Sequence, residues 1–194
     1  MPGSIVLWIG AAVLFFWAVG AYNRLMRLRA AVKTAFVLLE TELTRHVELV
    51  RKQLPPDIEH ADALDGVGSF WAELQGAAAQ LAAALVAVRA HPLQETGLAA
   101  LNAALGVLEM AWERTEREDA YDLAGPRMPD DVTARHMQLS VQTHAAIEQF
   151  NTAAARYNES IVQFPAVMLA VAFGFKAVRT MGKAAPAVQS SQMT

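Results

Sequence analysis

The chain has 194 residues, of which 54% are hydrophobic and 18% charged, so it can form one domain with a core and is neither disordered nor highly charged. Its formal net charge of −3 gives no support for a nucleic-acid binder, and the absence of cysteine excludes disulfides and thiolate chemistry. Alanine is abundant and β-branched residues are sparse after the first twenty positions, which favours an all-α fold.

Residues 1–22 are predicted to form a transmembrane anchor. The eighteen positions from Ile5 to Tyr22 carry no charge, and a helix of that length is about 27 Å long, close to the thickness of a bilayer's hydrocarbon core. Trp8, Trp17 and Tyr22 lie toward its ends, where aromatic rings favour the membrane interface.

The charges that flank this run are asymmetric, and they predict its orientation. No basic residue precedes the run, whereas four follow it before the first acid, Glu40. Because positively charged flanks stay in the cytoplasm, the amino terminus is expected outside and the rest of the chain inside. A signal peptide cleaved near Ala18-Val19-Gly20 is the alternative, but the basic region that opens such a peptide is missing. The four basic residues are Arg24, Arg27, Arg29 and Lys33.

Residues 23–165 are predicted to form an antiparallel up-down bundle with long helices. Four helical stretches are separated by dipeptides that contain proline, namely Pro55-Pro56, His91-Pro92 and Gly125-Pro126. Ser69 is expected to cap the second helix, and Asp130 or Asp131 the fourth. Apolar residues recur at helical spacing through 25–54, 74–88, 98–112 and 147–164.

The end of the fourth helix is expected to return to the membrane, because short connections make consecutive helices antiparallel. Residues 166–181 then form an apolar membrane-proximal segment, whose run 166–175 is too short to span a bilayer. This run suits either an interfacial element, with Lys176 and Arg179 beside anionic headgroups, or a cap on the bundle core. Residues 182–194 have the composition of a disordered tail.

Two of the three tyrosines stand before an asparagine, in Tyr22-Asn23 and Tyr157-Asn158. In the antiparallel topology both pairs lie near the membrane-proximal end of the bundle. Tyrosine can pack its ring inside while its hydroxyl reaches water or a partner, and asparagine can hydrogen-bond across helices.

Two blocks of the sequence carry recognisable motifs. The opening block contains Tyr22-Asn23-x-Leu25-x-x-Leu28, Val32-Lys33-x-Ala35-Phe36 and Arg45-His46, and the closing block contains Asn151, Tyr157-Asn158, Phe164-Pro165 and Gly174-Phe175-Lys176. Together these blocks resemble the opening and closing signatures of the LemA family. The middle of the chain matches only in being helical, Phe36 stands where the family usually has tryptophan, and residues 48–54 replace an apolar run, so the chain resembles a divergent member.

The resemblance implies a single-pass protein of the bacterial cytoplasmic (inner) membrane with no established enzymatic activity. It suggests a scaffold or adaptor whose partners include a membrane protease or another envelope protein. The residues that it makes interaction candidates are Tyr22, Asn23, Arg45, His46, Asn151, Tyr157, Asn158, Phe164, Pro165, Gly174 and Phe175.

Local catalytic motifs are missing, so no enzymatic activity, cofactor or metal is expected. A di-iron bundle needs Glu-x-x-His motifs, and the nearest match, Asp57-x-x-His60, stands beside a double proline. Glu42 and His46 share a helix face, where an exposed hydrogen-bonded pair is expected rather than a metal site.

Three hypotheses for function follow from these patterns. The first is a membrane-anchored scaffold that presents its bundle to protein partners or to a second copy, as a homo-oligomer. The second is a membrane-shaping protein that presses the 166–175 run into one leaflet. The third is an enzyme or metal-binding bundle whose residues assemble from distant helices.

Overall fold

A computed structural model describes residues 2–53, 66–120, 130–164 and 166–182, and within these ranges it contains helices and no strand. The all-α prediction is therefore confirmed for the part of the chain described. The predicted breaks at Pro55-Pro56 and Gly125-Pro126, together with His60, Pro165 and the tail from 183 onward, lie outside the described residues. The helices are α1 (Pro2–Gln53), α2 (Gly66–Ala90), α3 (Glu95–Ala120), α4 (Asp130–Val162) and α5 (Ala166–Phe173).

Helix α1 runs without interruption through 52 residues, which corresponds to a length of about 78 Å. Within the described ranges it is the one helix whose length and composition would allow it to cross a membrane. Its large apolar side chains from Leu7 to Val19 are exposed, whereas the stripe that starts at Leu25 is buried against the other helices. The predicted continuity of the apolar segment with the first bundle helix is confirmed.

The long helices pack in an antiparallel arrangement on the part of α1 that follows Leu25. Helix α1 packs along α4 and α2, and α2 packs along α3. Phe36 meets Phe150 at 6.1 Å between ring centroids and His46 meets His136 at 5.8 Å, so α4 runs opposite to α1. Within the described residues, the four predicted apolar stripes form the core or pack against it, with the exception of Phe164, and Leu54 lies outside the described residues.

Three details of the predicted helices and tail are wrong. Helix α2 begins at Gly66, so Ser69 lies inside it rather than at its cap, because helical context overrides the weak propensity of glycine. Phe164 is 71% exposed and packs on Trp17 at 5.3 Å, since α4 ends two residues earlier and the helical spacing no longer directs it inward. Gly182 belongs to the ordered bundle rather than to the tail, because its N–H is bonded to Asn102.

The end of α5 redirects the chain. Gly174 has a φ of 67°, and the N–H of Phe175 donates to the carbonyl of Ala170 at 2.9 Å, which is the Schellman arrangement of a helix end. Helix α5 buries Ala166 and Ala170 and exposes Met168, Val171 and Phe173. Residues 175–182, called the C-terminal strap below, then turn back along the bundle.

Candidate functional site

A groove separates α3 from α4. In the described residues no Cα atom of α3 lies within 8 Å of a Cα atom of α4, although both helices border the same core. The C-terminal strap fills the half of this groove near α5, and a polar cavity occupies the other half. The groove is the candidate functional site.

Two asparagines of α4 hold the backbone of the strap. Asn158 donates from Nδ2 to the carbonyl of Val178 and accepts the N–H of Val178 on Oδ1, both at 2.8 Å. Asn151 makes the same pair of bonds with Met181, again at 2.8 Å each. Each side-chain amide therefore satisfies both backbone groups of one residue.

The spacing of the two asparagines matches the spacing of the residues that they bind. Asn151 and Asn158 are seven positions apart on a helix, which places them about 10.5 Å apart along one face. Val178 and Met181 are three positions apart, and an extended chain covers about 9 to 10 Å in three residues. The strap is therefore extended between Asn151 and Asn158, which are called the asparagine clamps below. The spacing of the clamps along α4 matches the spacing of the two strap residues that they bind.

Side chains anchor the strap from both walls of the groove. Val178 and Met181 are 4% and 1% exposed, whereas Arg179 and Thr180 between them face outward. On the α3 wall, Asn102 accepts the N–H of Gly182 at 2.8 Å. This three-residue repeat of buried side chains is the period of a polyproline-II chain.

Gly182 closes the described part of the strap in a conformation that favours glycine. Its φ is 77°, and a Cβ atom there would come within 3.3 Å of Ile147 Cγ2. The backbone therefore approaches α4 more closely at this point than a larger residue would allow.

The far half of the groove is a cavity of about 250 Å³ between α1, α3 and α4. The ring of Trp112 stacks on that of His136 with centroids 4.1 Å apart and planes inclined by 15°. His46 meets the same imidazole edge-on, and Glu116 Oε1 lies 3.4 Å from His136 Nδ1.

Three buried polar atoms that line this cavity lack a hydrogen-bond partner within the described part of the chain. They are His46 Nε2, Trp112 Nε1 and Thr143 Oγ1. Buried polar groups in folded proteins are nearly always bonded, so their concentration here provides donors and acceptors for a polar occupant. No group of three His, Asp or Glu side chains in the described ranges is placed to hold a metal ion.

Burial sets the charge state of the two histidines. Desolvation lowers the pKa of His46, against a smaller opposing effect of a backbone hydrogen bond at Leu139, and desolvation also lowers the pKa of His136. Both imidazoles are therefore neutral at pH 7, and each can donate one hydrogen bond and accept another.

The structure brings several of the interaction candidates together at the strap. Asn151 and Asn158 clamp it, Gly174 caps the helix that precedes it, and Phe175 begins it. Tyr157 is buried beside the same segment, and burial raises the pKa of its hydroxyl.

The aromatic candidates of α1 and the strap also meet. The ring of Tyr22 lies 6.3 Å from that of Phe175 and 5.3 Å from that of Phe173, while the neighbouring Asn23 is exposed. Among the flanking basic residues, Arg29 lies over the Phe175 ring at 5.6 Å, and Arg24, Arg27 and Lys33 are exposed.

The Arg45-His46 pair is divided between two environments. Arg45 is exposed and binds Glu42 at 2.8 Å, whereas His46 is only 5% exposed. The expected exposed Glu42–His46 pair is therefore wrong, because His46 follows the core stripe of α1 toward α4 while Glu42 pairs on the surface.

Three residues of the groove were missed by the sequence reasoning. Trp112 was assigned to an apolar stripe, His136 was one of five scattered histidines, and Asn102 carried no signal at all. Each contributes through a partner on another helix or on the strap, so no local spacing could have identified it.

Comparisons of the chain with protein-family models, with curated proteins and with solved structures find no match.

Proposed function

We propose that this protein is a membrane-anchored, non-enzymatic scaffold that binds extended polypeptide segments in the groove between α3 and α4. The observation that carries the proposal is the pair of asparagine clamps, which engage a chain through both of its backbone hydrogen-bonding groups. Backbone recognition of this kind is how sheet edges and peptide-binding domains take up a foreign segment.

Selectivity in such a groove comes from the buried side chains between the clamps. Val178 and Met181 enter the core, while Arg179 and Thr180 point away from it. A competing segment would therefore carry apolar residues three positions apart and no proline at either of them, since both N–H groups are used. A small residue should follow, because the next position lies against Ile147.

The strap is held weakly enough for such an exchange. Five hydrogen bonds at about 1 kcal/mol each and two buried apolar side chains at about 2 kcal/mol each total about 9 kcal/mol. Ordering eight residues costs about 10 kcal/mol, at somewhat more than 1 kcal/mol per residue. Because these two free energies nearly cancel, the chain's own strap is an occupant of the groove that a partner segment, or the strap of a second copy, can replace.

The anchor fixes where this exchange occurs. We propose that the uncharged run of α1 spans the bacterial cytoplasmic membrane with the amino terminus outside and the bundle in the cytoplasm. The exposed apolar side chains from Leu7 to Val19 and the basic residues that follow them support this placement. Partners would then be cytoplasmic segments of membrane proteins, including a membrane protease or another envelope protein.

We also propose that the chain is a divergent member of the LemA family. The residues that carry the resemblance in the closing block include both clamps, Asn151 and Asn158, and the helix-ending Gly174. A shared requirement for the strap would account for their occurrence together.

A membrane-shaping role is the second candidate, and one observation favours it. Helix α5 presents Met168, Val171 and Phe173 to solvent beside Tyr22, at the level where α1 leaves its uncharged run. An apolar helix face in that position suits insertion into the headgroup region of one leaflet. This role is compatible with the scaffold.

The scaffold proposal is tested by supplying the strap in trans. The strap of the full chain is weakened by Val178→Asp with Met181→Asp, which leaves the walls of the groove intact, and the chain is placed in lipid nanodiscs. A fluorescent peptide with the sequence of residues 175–182 is expected to bind this variant and to bind the unaltered chain much more weakly.

Two matched controls distinguish binding in the groove from nonspecific binding. The same peptide carrying both aspartates should not bind, and a chain that also carries Asn151→Ala and Asn158→Ala should lose binding of the original peptide. If the peptide binds equally with and without the clamps, or binds no variant, the groove is not a peptide receptor.

A further inference from the structure

A second cavity, of about 360 Å³, lies at the end of the bundle near α5. It is enclosed by α1, by the turn between α2 and α3 and by the start of the C-terminal strap. Three basic side chains line it, namely Arg29, Lys33 and Lys176, together with His91. No carboxylate stands among the described residues that line it.

Two acids of the surrounding helices, Glu40 and Glu95, are paired with arginines that do not line the cavity. Glu40 of α1 binds Arg89 at 2.5 Å, and Glu95 of α3 lies 3.7 Å from Arg179. The positive charge of Arg29, Lys33 and Lys176 is therefore not neutralised within the cavity, and it attracts an anion.

The cavity lies at the height where lipid headgroups would be. Arg29 follows the last residue of the uncharged run, Tyr22, by seven positions, or about 10 Å along the helix. Its guanidinium lies over the ring of Phe175, and that ring contacts Tyr22. The Arg29 side chain therefore extends toward Tyr22, the last residue of the uncharged run. Headgroups extend several ångströms beyond the hydrocarbon core, which brings them to the same height.

We propose that this cavity is a binding site for a phosphate group, presented by the headgroup of an anionic phospholipid. Its volume is within the range of small-molecule sites, and a fork of arginine donors with two lysines suits a phosphate in both charge and geometry. The ring of Phe175 beneath Arg29 holds the guanidinium in place. The site rests on the proposed membrane anchoring of α1, and it goes beyond the scaffold function.

Native mass spectrometry of the full chain released from detergent micelles tests the site. The probes are phosphatidylglycerol, zwitterionic phosphatidylcholine and inorganic phosphate. We expect one tightly retained phosphatidylglycerol, weaker retention of phosphatidylcholine and no retained phosphate at equal concentration. Retention of inorganic phosphate without preference for the anionic lipid would assign the cavity to free phosphate and overturn the lipid source.

A charge-matched pair of variants locates the binding. The variant Arg29→Gln, Lys33→Gln, Lys176→Gln should lose phosphatidylglycerol affinity by about a hundredfold, given the usual contribution of each basic residue. The control Arg24→Gln, Arg27→Gln, Arg156→Gln removes the same charge from residues that do not line the cavity, and it should keep the affinity.

The remaining outcomes overturn the proposal. If both variants lose the lipid equally, the attraction is a property of net charge, and if neither loses it, the lipid binds elsewhere. Circular dichroism of both variants confirms that the substitutions leave the helices formed. Membrane anchoring is tested separately by inserting the chain into the nanodiscs used for the peptide experiment. Failure of that insertion would contradict the anchoring, whereas loss of the retained lipid from a chain that inserts would contradict only the headgroup site.

Discussion

Asn158 and Val178, twenty positions apart, form a closed pair in which one side-chain amide bonds both the N–H and the carbonyl of one backbone residue. Asn151 repeats the arrangement with Met181 at a distance of thirty positions. The two pairs hold an extended chain along α4, and the proposed recognition of polypeptide backbone in the groove rests on them.

Replacement of Asn158 by alanine should release the strap locally. The change removes two hydrogen bonds and leaves the N–H and carbonyl of Val178 without a partner. Amide exchange at Val178 and Met181 is expected to accelerate by on the order of tenfold to a hundredfold, while exchange in the core of α1 stays unchanged. Hydrogen exchange with mass spectrometry measures both.

The matched control for this prediction is Asn23→Ala. Asn23 is also a helical asparagine next to a tyrosine, but it is exposed on α1 and lies outside the groove. Equal acceleration of strap exchange in the two variants would mean that the clamps do not hold the strap.

The helices could be predicted from the sequence because a buried helix face requires apolar residues at every third or fourth position. Leu25, Phe36 and Phe150 were identified by their spacing alone, and all three are buried. The strap was missed because its contacts run from a side chain to a distant backbone, which leaves no period to detect. Asn151 and Asn158 were singled out through the resemblance and their setting near α4's end, not through the residues that they bind.

The cavity at the far end of the groove shows the same limit. His46, Trp112 and His136 come from three different helices, and their meeting depends on the relative rotation of those helices. Hydrophobic spacing placed Trp112 in the core correctly, but it could not indicate which polar residues would border its indole N–H.

Gly174→Ala should destabilise the protein by about 1 to 2 kcal/mol, because Gly174 has a φ of 67° and an L side chain disfavours that region. A Cβ atom there would meet no other atom within 4 Å, so the loss is conformational rather than steric. Gly76→Ala in α2 is the matched control, since its Cβ also meets open space but its backbone is helical. Chemical denaturation should find the control more stable by about 0.5 to 1 kcal/mol, and two losses of equal size would contradict the assignment.

Mild acid should weaken the fold through the buried histidines. Burial lowers the pKa of His46 and of His136, whereas both histidines titrate near 6.5 in the unfolded chain. Below that pH the unfolded state binds more protons, so the free energy of unfolding falls until the pH passes the lowered folded-state values. Glu42 opposes part of the effect at His46, and Glu116 lies near His136.

Denaturant titrations between pH 7.5 and 5.5 measure this dependence. The double variant His46→Gln, His136→Gln should show a flatter pH profile than the unaltered chain. An unchanged slope in the double variant would show that other groups control acid stability.

The exposed face of α5 should contact lipid if the membrane-shaping role holds. The chain has no native cysteine, so Met168→Cys and Met110→Cys each provide a single site for a fluorescent label. The two methionines are 65% and 63% exposed, but Met110 lies on α3, which has no contact with α5. In bilayers that contain spin-labelled lipid, quenching is expected at position 168 and absent at 110, and equal quenching at both sites would argue against a specific α5 contact.

The orientation of the bundle decides which partners can reach the groove, and it is predicted from charge alone. Arg24, Arg27 and Arg29 should keep their side of α1 in the cytoplasm. Ser4→Cys is therefore expected to react in intact bacterial cells with a maleimide that cannot cross the inner membrane, whereas Met137→Cys, exposed on α4, should react only after lysis. Labelling of Met137→Cys in intact cells would reverse the topology, since the basic flank would then lie outside. The clamps and the groove would keep their geometry in that case, but the segments that compete for them would have to come from proteins outside the cytoplasm.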